Sequence, residues 1–521
     1  MRDGTIGRAP PIDWRRRAPY ALRERGSNRR PASGRVKRRG PVSDYFELHT
    51  WWSTILAAVT WSIIFGALVV IPFRRSPEAA QGWLLLFFFQ PFAALVLFFF
   101  VGNARHPKWR QERIKSVPSL VKRASLEIPD AATDVASELE PKSRTAARLV
   151  TALGQLPCVA GNTVSLDADY DRVVDRIAGD IENARHHVHV MFYILHDDEA
   201  GNRMLSAMER AVRRGVKCRL LIDAVGSAND RNAIIRRLAG TGVEVHLILP
   251  LRFWNRATRA DLRNHRKIVV VDGRIGWIGS QNMHRMEYEP NTFYREVMAR
   301  VTGPVVLELQ SVFIGDWYLE TDEDLSSHDI MPPPADTEGE VRAQVLPSGP
   351  DHPDSRIDTL FTDLIHSATE RVVLTTPYFI PNEALSLALR TAVAKGVQVT
   401  LFVTSTTKSV FIDQAQRSYY DELLSSGVEL MLYRERFLHA KHLSIDADIA
   451  VIGSANMDRR SFELNSEVTL IVYDAGVVTQ LRRIENDYRS KSRRLTAEEW
   501  AGRGFFTQLA ENAMRLVSPL L

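Results

Sequence analysis

Cysteine is scarce in this sequence: its 521 residues include only Cys158 and Cys218. Two thiols can form at most one bridge, which excludes the multiple-disulfide framework that stabilises small secreted domains. The apolar content of 45% instead indicates a folded protein with a large core, and the length is sufficient for two or three domains. We interpret both cysteines as reduced and the folded body as cytosolic.

Apart from residues 1–40, the chain has no excess of positive charge. The net charge is +5, but residues 1–40 hold 13 Lys and Arg against three acidic residues, so the remaining residues sum to −5. Nucleic-acid enzymes usually carry their basic surface on the catalytic body. The distribution therefore argues against a nucleic-acid partner. Residues 1–48, which also lack an apolar pattern, are predicted to form a disordered basic tail.

Charged residues are absent from two long stretches, 51–73 and 82–101. The first would form a helix about 34 Å long, enough to cross a hydrocarbon core of about 30 Å. In the second, Pro91 predicts a kink. The apolar region of a signal peptide is only about 7–15 residues long and follows a short charged start, so the long tail and the 23-residue stretch fit a signal peptide poorly. We expect two transmembrane helices over 49–103, with a buried core hairpin as the alternative.

The basic residues around these stretches predict their orientation. The tail precedes the first stretch, and five basic residues follow the second: Arg105, Lys108, Arg110, Arg113 and Lys115. The connecting loop contains only Arg74 and Arg75. Because basic residues accumulate on the cytoplasmic side, both ends of the hairpin and the body after it are expected in the cytoplasm.

The rest of the sequence indicates an α/β fold made twice. Buried-strand patterns alternate with amphipathic helices, and AVRRGVKCRL (211–220) resembles AVAKGVQVTL (392–401). Between the two halves, residues 322–340 contain seven acids, three prolines and no Lys or Arg, as is typical of a linker. The predicted boundaries are a linker at 104–145, a first half at 146–325, an acidic linker at 326–344 and a second half at 345–521.

One motif, His-x-Lys-x-x-x-x-Asp, occurs once in each half. The copies are His265, Lys267 and Asp272, then His439, Lys441 and Asp446. Fourteen residues after each His begins Gly-Ser-x-Asn, which contributes Ser280 and Asn282 in the first half and Ser454 and Asn456 in the second. Because alternate residues of a strand share one face, each His–Lys pair should project together. The matched spacing predicts one active site assembled from both halves.

These residue types suit phosphoryl transfer without a metal or other cofactor. One neutral imidazole can attack phosphorus, and the other, protonated, can give a proton to the leaving alkoxide. The lysines, with Ser and Asn as uncharged donors, would offset charge on the phosphate oxygens. Each Asp lies at a strand-ending turn, so it is expected to orient rather than react. Glu296 and Glu467, which follow the two histidines by 31 and 28 residues, are the candidates for holding their second ring nitrogens.

Simpler interpretations exist for each residue. A single copy of the motif is weak, because a lone His on a strand usually belongs to the core, and a Glu after a strand is often only solvated. The acidic loop His196-Asp197-Asp198 could line the site or be an ordinary loop. A non-catalytic membrane scaffold is a further possibility. The presence of both His and both Lys in a duplicated sequence favours catalysis.

Several segments resemble the phospholipase D superfamily and, within it, the bacterial cardiolipin synthases. They include PYFIPNEAL (377–385), FLHAKHLSID (437–446) and GSANMDRRSFELNSEV (453–468) in the second half. IDAVGS (222–227) and the apolar stretches are similar to the first half and membrane anchor of that family. The resemblance covers about residues 50–521. Departures are GSQN in the first copy, Glu296 where Asp is common, and the long basic tail.

The resemblance implies two α/β/α sandwich halves around a pseudo-two-fold active site in a multi-pass protein of the bacterial inner membrane. The implied reaction moves a phosphatidyl group from one phosphatidylglycerol to another, giving cardiolipin and glycerol, with the first-half His265 as nucleophile. A phospholipase D-type hydrolase is the alternative, because it uses the same motif. A nuclease of the superfamily fits the acidic body poorly. The oligomeric state is left open.

The absence of a ligand cluster in the sequence generates a first prediction. Lysine is a poor metal ligand, and no Cys, His and carboxylate residues occur at the spacing of a metal site. Phosphatidyl transfer in detergent micelles should therefore survive exhaustive chelation. Activity lost on chelation and restored by a divalent ion would contradict the metal-free mechanism.

Overall fold

The structure is a computed structural model. It describes residues 41–75, 77–102, 106–125, 135–251, 261–326, 339–405 and 409–517. Residues 1–40 of the predicted tail and most of the acidic linker lie outside these described residues. The backbone is already helical from Pro41, so residues 41–48 differ from the predicted disordered tail.

The helices of the described residues follow in chain order: α1 (Pro41–Val70), α2 (Pro77–Phe89), α3 (Pro91–Val101), α4 (Lys108–Ile114), α5 (Val117–Ser125), α6 (Pro141–Gly154), α7 (Tyr170–Glu182), α8 (Glu199–Arg213), α9 (Arg231–Leu238), α10 (Val305–Thr321), α11 (Ile357–Ser367), α12 (Glu383–Ala394), α13 (Val410–Arg417), α14 (Tyr420–Ser425), α15 (Arg459–Glu463), α16 (Ala475–Ser490), α17 (Ala497–Ala501) and α18 (Phe505–Val517). Several begin at a residue whose side chain accepts a backbone N–H, as Asp198 does for α8 and Asn382 for α12.

The strands are β1 (Val159–Asp167), β2 (His187–Phe192), β3 (Lys217–Asp223), β4 (Glu244–Ile248), β5 (Arg263–Asn264), β6 (Ile268–Val271), β7 (Ile275–Gly279), β8 (Glu287–Glu289), β9 (Thr292–Arg295), β10 (Met298–Thr302), β11 (Val341–Ser348), β12 (Arg371–Thr375), β13 (Phe379–Ile380), β14 (Gln398–Thr404), β15 (Glu429–Tyr433), β16 (Phe437–Leu438), β17 (His442–Ile445), β18 (Ile449–Gly453), β19 (Met457–Asp458), β20 (Asn465–Tyr473) and β21 (Ser492–Leu495). His265 and Lys267 lie between β5 and β6, so they precede the strand in which the sequence predicted them.

One large mixed sheet runs through the body in the order β21-β15-β14-β12-β17-β18-β20-β11-β1-β10-β7-β6-β2-β3-β4. Strands β2, β3 and β4 are parallel, and so are β12, β14 and β15. The antiparallel pair β1–β11 joins the two sets of strands at the centre. Moving outward from this pair, the same order of strand types is met on both sides.

Helix α10 forms much of the packing at the centre of the body. Its residues Phe313 and Trp317 are buried, and their cluster includes β-strand residues from both halves. Such burial on nearly all sides is typical of a core helix. Glu308, also fully buried on α10, accepts the backbone N–H of Val345 on β11 at 2.6 Å. Burial raises the pKa of Glu308 well above its usual value, which favours the protonated carboxyl.

The segment predicted as a linker at 104–145 is packed onto the body where the structure describes it. Arg110 forms an ion pair with Glu320 at 2.6 Å, and Val117 and Val121 belong to the same core cluster as α10. Helix α6 lies against β11: Gln344 donates to the carbonyl of Ala147 at 3.2 Å. The sequence missed this because short amphipathic helices separated by polar residues resemble a linker.

The two apolar stretches differ from each other. Within the described residues, one helix, Trp51–Phe73, is long and apolar enough to cross a membrane by length and composition. The second stretch is two shorter helices, α2 and α3, that meet at Gln90. The rings of Trp83 and Phe98 lie 5.1 Å apart, whereas a continuous helix would separate them by about 22 Å. The predicted kinked span is therefore a reversal, because Pro91 starts a new helix instead of bending one.

Asp272 and Asp446, predicted as orienting members of the motif, lie at the turns that end β6 and β17, as expected, and their carboxylates bind backbone donors. Asp272 accepts the backbone N–H groups of Arg185, His186 and His187 at 2.7–2.9 Å. Five residues of extended chain, about 16 Å, separate it from Lys267. Asp446 accepts the three equivalent N–H groups of residues 369–371 at 2.8–2.9 Å. Both have positive φ, 54° and 48°, at the turn that ends the strand.

Asp446 generates a stability prediction. Burial opposes its charge, but Lys142 and the three backbone donors hold its pKa below the usual range. Because the folded-state pKa is depressed, this stabilisation is full above about pH 4 and is lost as pH falls. We expect Asp446→Asn to lower the free energy of unfolding by about 2–3 kcal/mol at pH 7, and the deficit should shrink in acid. Thermal unfolding in detergent against pH measures it.

Asp448→Asn is the matched control. Asp448 binds the same Lys142 at 2.9 Å but its side chain is 36% exposed, so we expect a change of no more than about 0.5 kcal/mol. Asp446→Asn should also retain activity at a temperature where it is folded. A folded but inactive Asp446→Asn protein would show that Asp446 is needed for catalysis and not only for stability.

Candidate active site

The two copies of the motif are brought together by strand pairing between the halves. Strand β5, just before His265, pairs with β20 of the second half, and the backbone N–H of His265 donates to Ser466 at 2.8 Å. Strand β16, just before His439, pairs with β9 of the first half, and the N–H of His439 donates to Arg295 at 2.9 Å. Each His is therefore held by the opposite half, which places both in one site.

The same pairing decides which glutamate braces which histidine. Nδ1 of His265 lies 3.1 Å from Glu467, and Nδ1 of His439 lies 2.5 Å from Glu296. Both carboxylates are buried. Sequence separation suggested a partner within each half, and the structure instead forms two crossed pairs. This arrangement leaves Nε2 of each imidazole as the nitrogen available for chemistry.

The serine and glycine of each Gly-Ser-x-Asn sequence support the glutamates. The Ser454 hydroxyl donates to Glu467 at 2.5 Å. The Ser280 hydroxyl accepts the N–H of Val297, next to Glu296, at 3.1 Å. A Cβ on Gly279 or Gly453 would come within 2.4 or 2.6 Å of a carbonyl on the neighbouring strand. The serines are thus engaged with protein groups, and the glycines permit strand contact rather than ligand contact.

Lys267 and Lys441 are buried beside their histidines. Nζ of Lys267 donates to the carbonyl of His265 at 2.5 Å, and Nζ of Lys441 makes the matching bond to His439. Lys267 also lies over the ring of Tyr193, 5.5 Å from its centroid. Two ammonium groups fixed in this way offer positive charge to a phosphodiester without needing further reorganisation.

The two asparagines are differently engaged. Asn282 accepts the N–H of Ile194 at 3.3 Å through its side-chain oxygen. The Asn456 side chain is buried, and its oxygen has no hydrogen-bond partner within the part of the chain that the structure describes. That oxygen can accept a hydrogen bond from a hydroxyl, but it cannot donate to a phosphate oxygen.

Burial and mutual charge set the protonation of the site. Burial lowers the pKa of Lys267 to about 7 and that of Lys441 to about 8. Burial also lowers the pKa of both histidines, most strongly for His439, where the two lysines add to the effect. Burial raises the pKa of Glu296 to about 7. The pKa of Glu467 is lowered despite burial, because His265 and Lys267 stabilise its charge.

A buried ionic network supports the first histidine alone. Arg266, fully buried, pairs with Asp316 and Asp351 at 2.7 and 2.8 Å and donates to the carbonyl of Glu467 at 3.0 Å. Arg263 pairs with Asp223 at 3.2 Å. The matching positions of the second copy are the apolar residues Phe437 and Ala440. Sequence reasoning missed this network, although Arg flanking a buried motif on both sides was a usable signal.

An aromatic wall beside His439 was also missed. Tyr294 and Phe437 contact the His439 ring, with centroids 5.2 and 6.0 Å away. His284 meets the Tyr294 ring edge to face, with centroids 5.5 Å apart, and burial lowers the pKa of His284 to about 4. The acidic loop takes an ordinary structural role here: Asp198 caps α8, and His196 pairs with Asp230 at 2.5 Å. In the described residues no group of His, Cys and carboxylates is arranged to hold a metal.

Comparison with known proteins agrees with this site. The family described as "cardiolipin synthase, PLD-like domain" matches residues 177–317 and 361–488, which contain both His–Lys pairs. Cardiolipin synthase A of Pectobacterium carotovorum is 31% identical over 90% of this chain and all of its own length. Cardiolipin synthase of Geobacillus kaustophilus is 32% identical over 88% of this chain and 92% of its own.

A solved structure supports the fold. The phosphatidylserine synthase of Haemophilus influenzae superposes with a TM-score of 0.55 at 16% identity, over 72% of this chain and all of its own. The body thus has a phospholipase D-like α/β fold. The chain belongs to the cardiolipin synthase family of proteins with phospholipase D-like domains.

The shifted lysines generate a pH prediction. Each lysine is charged below its folded pKa, so phosphate binding by the free enzyme should weaken as pH rises through about 7–8. A bound phosphodiester stabilises the ammonium form, which should move the alkaline limb of kcat to higher pH than that of kcat/KM. Initial rates in mixed micelles measure both limbs. A kcat/KM that stays flat to about pH 9.5 would contradict lysine titration as the cause.

Proposed function

We propose that this protein is a membrane phosphatidyltransferase that converts two phosphatidylglycerol molecules into cardiolipin and glycerol through a phosphohistidine. The observation that carries the proposal is the pair of Glu-braced histidines, each with a buried lysine, in one site. Its relatives named cardiolipin synthase cover most of the chain and support the choice of substrate.

In the first step, the lone pair of Nε2 on His265 attacks phosphorus, and the bond from phosphorus to the glycerol oxygen breaks. His439 gives its Nε2 proton to that oxygen while the proton that it shares with Glu296 stays on Nδ1, and glycerol leaves; this sharing offsets the low pKa of the buried imidazole. Lys267 and Lys441 offset the charge on the non-bridging oxygens. The products are free glycerol and a phosphatidyl group on His265.

In the second step, the glycerol hydroxyl of another phosphatidylglycerol approaches along the path by which glycerol left. His439, now neutral, takes its proton, the new P–O bond forms, and the P–N bond to His265 breaks. Two displacements at one phosphorus invert it twice, so its configuration is retained. His439 ends the cycle protonated and His265 neutral, as they began.

His265 is the better nucleophile of the two. Its Nδ1 faces two acceptors, Glu467 and the carbonyl of Ser454, both at 3.1 Å. Nδ1 must therefore carry the hydrogen, which leaves the lone pair on Nε2. His439 faces Glu296, whose pKa of about 7 lets it share a proton with the imidazole. That pairing suits a group that alternates between acid and base.

Transfer rather than hydrolysis is favoured by the burial of the reacting groups. His265 and His439 are 8% and 9% exposed, and both lysines are almost fully covered. A closed site limits the access of water to the phosphohistidine. The hydrolase alternative requires water to reach the same nitrogen, and the product ratio distinguishes the two reactions.

The proposal also includes a duplicated fold and attachment to the membrane. The repeated strand order, the repeated motif and the crossed pairing support a duplicated fold with a pseudo-two-fold axis through the site. The apolar segments and the family's lipid chemistry support attachment to a bacterial inner membrane. The charge distribution predicts a cytoplasmic body only if both stretches cross the membrane; with a single crossing the basic tail and the body would lie on opposite sides, and only one of them would be in the cytoplasm. The reversal at Gln90 argues against the second crossing.

The histidines provide the test of function. Purified protein with labelled phosphatidylglycerol should yield cardiolipin and glycerol, with little phosphatidic acid. His265→Ala should reduce the rate by about 10⁶-fold and His439→Ala by about 10²–10⁴-fold, without unfolding. Phosphatidic acid as the main wild-type product would replace the transferase with the hydrolase.

A phosphatidyl ester of p-nitrophenol separates the two roles. This leaving group needs no proton from an acid, so His439→Ala should still release one p-nitrophenol per site in a burst. His265→Ala should show no burst. The reverse pattern would exchange the nucleophile and the acid.

A further inference from the structure

Two surfaces of the protein expose clusters of large apolar side chains, which is unfavourable in water. One is the hairpin of α2 and α3, and the other is the outer face of α18. On the hairpin, Phe88, Phe89 and Phe99 are 60%, 68% and 81% exposed. On α18, Phe505 and Phe506 are 71% and 82% exposed. Exposed apolar clusters of this size mark a surface that contacts another phase or molecule.

Helix α18 is amphipathic, but its apolar face points outward and its charged face points toward the body. Its apolar residues Phe505, Phe506, Leu509, Ala513 and Leu516 fall within an arc of about 100°, and all of them are exposed. Its opposite face carries Glu511, which is 1% exposed and pairs with Arg417 at 2.8 Å and with Arg503. Ion pairs hold α18 to the body while its apolar stripe faces outward. A soluble protein would bury the stripe.

The hairpin of α2 and α3 returns to the side from which it starts. Nε of Arg75, before α2, donates to the carbonyl of Gly102, after α3, at 3.0 Å. The turn between the helices satisfies the backbone of Gln90, whose N–H bonds Leu86 and whose carbonyl accepts from Ala94, both at 2.8 Å. Pro91 has no N–H to satisfy. Such a turn tolerates a low-dielectric surrounding better than an open loop.

The two surfaces adjoin each other. Residues Gly82 and Leu85 of α2 and Arg515 and Leu516 of α18 line one cavity of about 510 Å³. Arg390 and Arg459 line it as well. Glu383 and Glu422 also line the cavity, and Glu422 pairs with Arg390 at 3.2 Å and with Arg515 at 3.1 Å. A charged border beside an apolar surface fits the headgroup layer of a bilayer. The hairpin also packs on the end of the apolar helix Trp51–Phe73, because Ile71 and Trp83 share a buried cluster.

From these contacts we infer that α2, α3 and α18 form one face that inserts into a phospholipid bilayer from the side of the catalytic body, with α2–α3 re-entrant rather than transmembrane. Helix α2 is about 20 Å long, so the turn at Gln90 lies near the middle of a hydrocarbon core of about 30 Å. Phe505, Phe506, Leu509 and Leu516 lie at the level of the headgroups and upper acyl chains. The face would hold the second half against the surface from which it draws lipid.

Cysteine labelling tests the re-entrant hairpin. Cys158 and Cys218 are buried and would be replaced by Ala. Single cysteines then replace Arg74, before α2, and Arg213, on the body, both of which are exposed. In intact cells both should respond alike to a membrane-impermeant maleimide, and both should react after permeabilisation. If one is labelled and the other protected in intact cells, α2–α3 crosses the membrane and the inference is overturned.

Fluorescence quenching tests the α18 face in the full chain reconstituted into vesicles of phosphatidylglycerol and phosphatidylethanolamine. A bimane label at Phe506→Cys should be quenched several-fold more by nitroxide on the lipid acyl chains than a label at Thr507→Cys. Thr507 is the matched control, since it is the next residue, also exposed, on the other side of the helix. Equal quenching, or stronger quenching of position 506 by aqueous iodide, would exclude lipid contact. Shielding from both quenchers would mean that another protein surface covers it, which also overturns the inference. Neither test depends on the reaction proposed above.

Discussion

The pairing of each motif with a strand of the opposite half is the constraint on which the active site depends. Two very short strands, β5 and β16, pair with the first residues of β20 and the last residues of β9 and fix the backbone next to His265 and His439. The crossed His–Glu pairs follow from that register, because Glu467 and Glu296 come directly after the paired segments. The lysines then bond to the histidine carbonyls and complete a cluster that is almost fully buried. Burial in turn lowers the pKa of both lysines and both histidines. The pairing of two short strands therefore determines the protonation of the site.

Much of this could be predicted from the sequence. The repeated His-x-Lys motif indicated the residues that the structure brings together, and the similar segments 211–220 and 392–401 marked the connection into β3 and β14 in the two halves. The acidic, proline-rich stretch separated the halves. These features are local, and local patterns of apolar and turn residues specify them.

The errors have physical causes. The glutamates were found, but their partners depend on contacts across roughly 140–200 residues, which no local pattern encodes. The turn position of Asp272 and Asp446 was predicted, but the backbone donors that they bind lie 75–87 residues away in the chain and were not. For 82–101, hydropathy detects an apolar stretch but not its direction, so Gln90-Pro91 could indicate a bend or a reversal. Helices α4 and α5 were missed because their packing surface, on α10, lies far along the chain.

The exchange of partners between the halves has a consequence for how the enzyme is made. When the first half has been synthesised, His265 lacks Glu467, Lys441 and the strand that holds its backbone. The ribosome must add some 200 further residues before that histidine acquires a fixed tautomer and a proton donor. Under the proposed mechanism an unfinished chain lacks both the proton donor and the braced nucleophile, so it should not form a phosphohistidine that it cannot pass on to an acceptor.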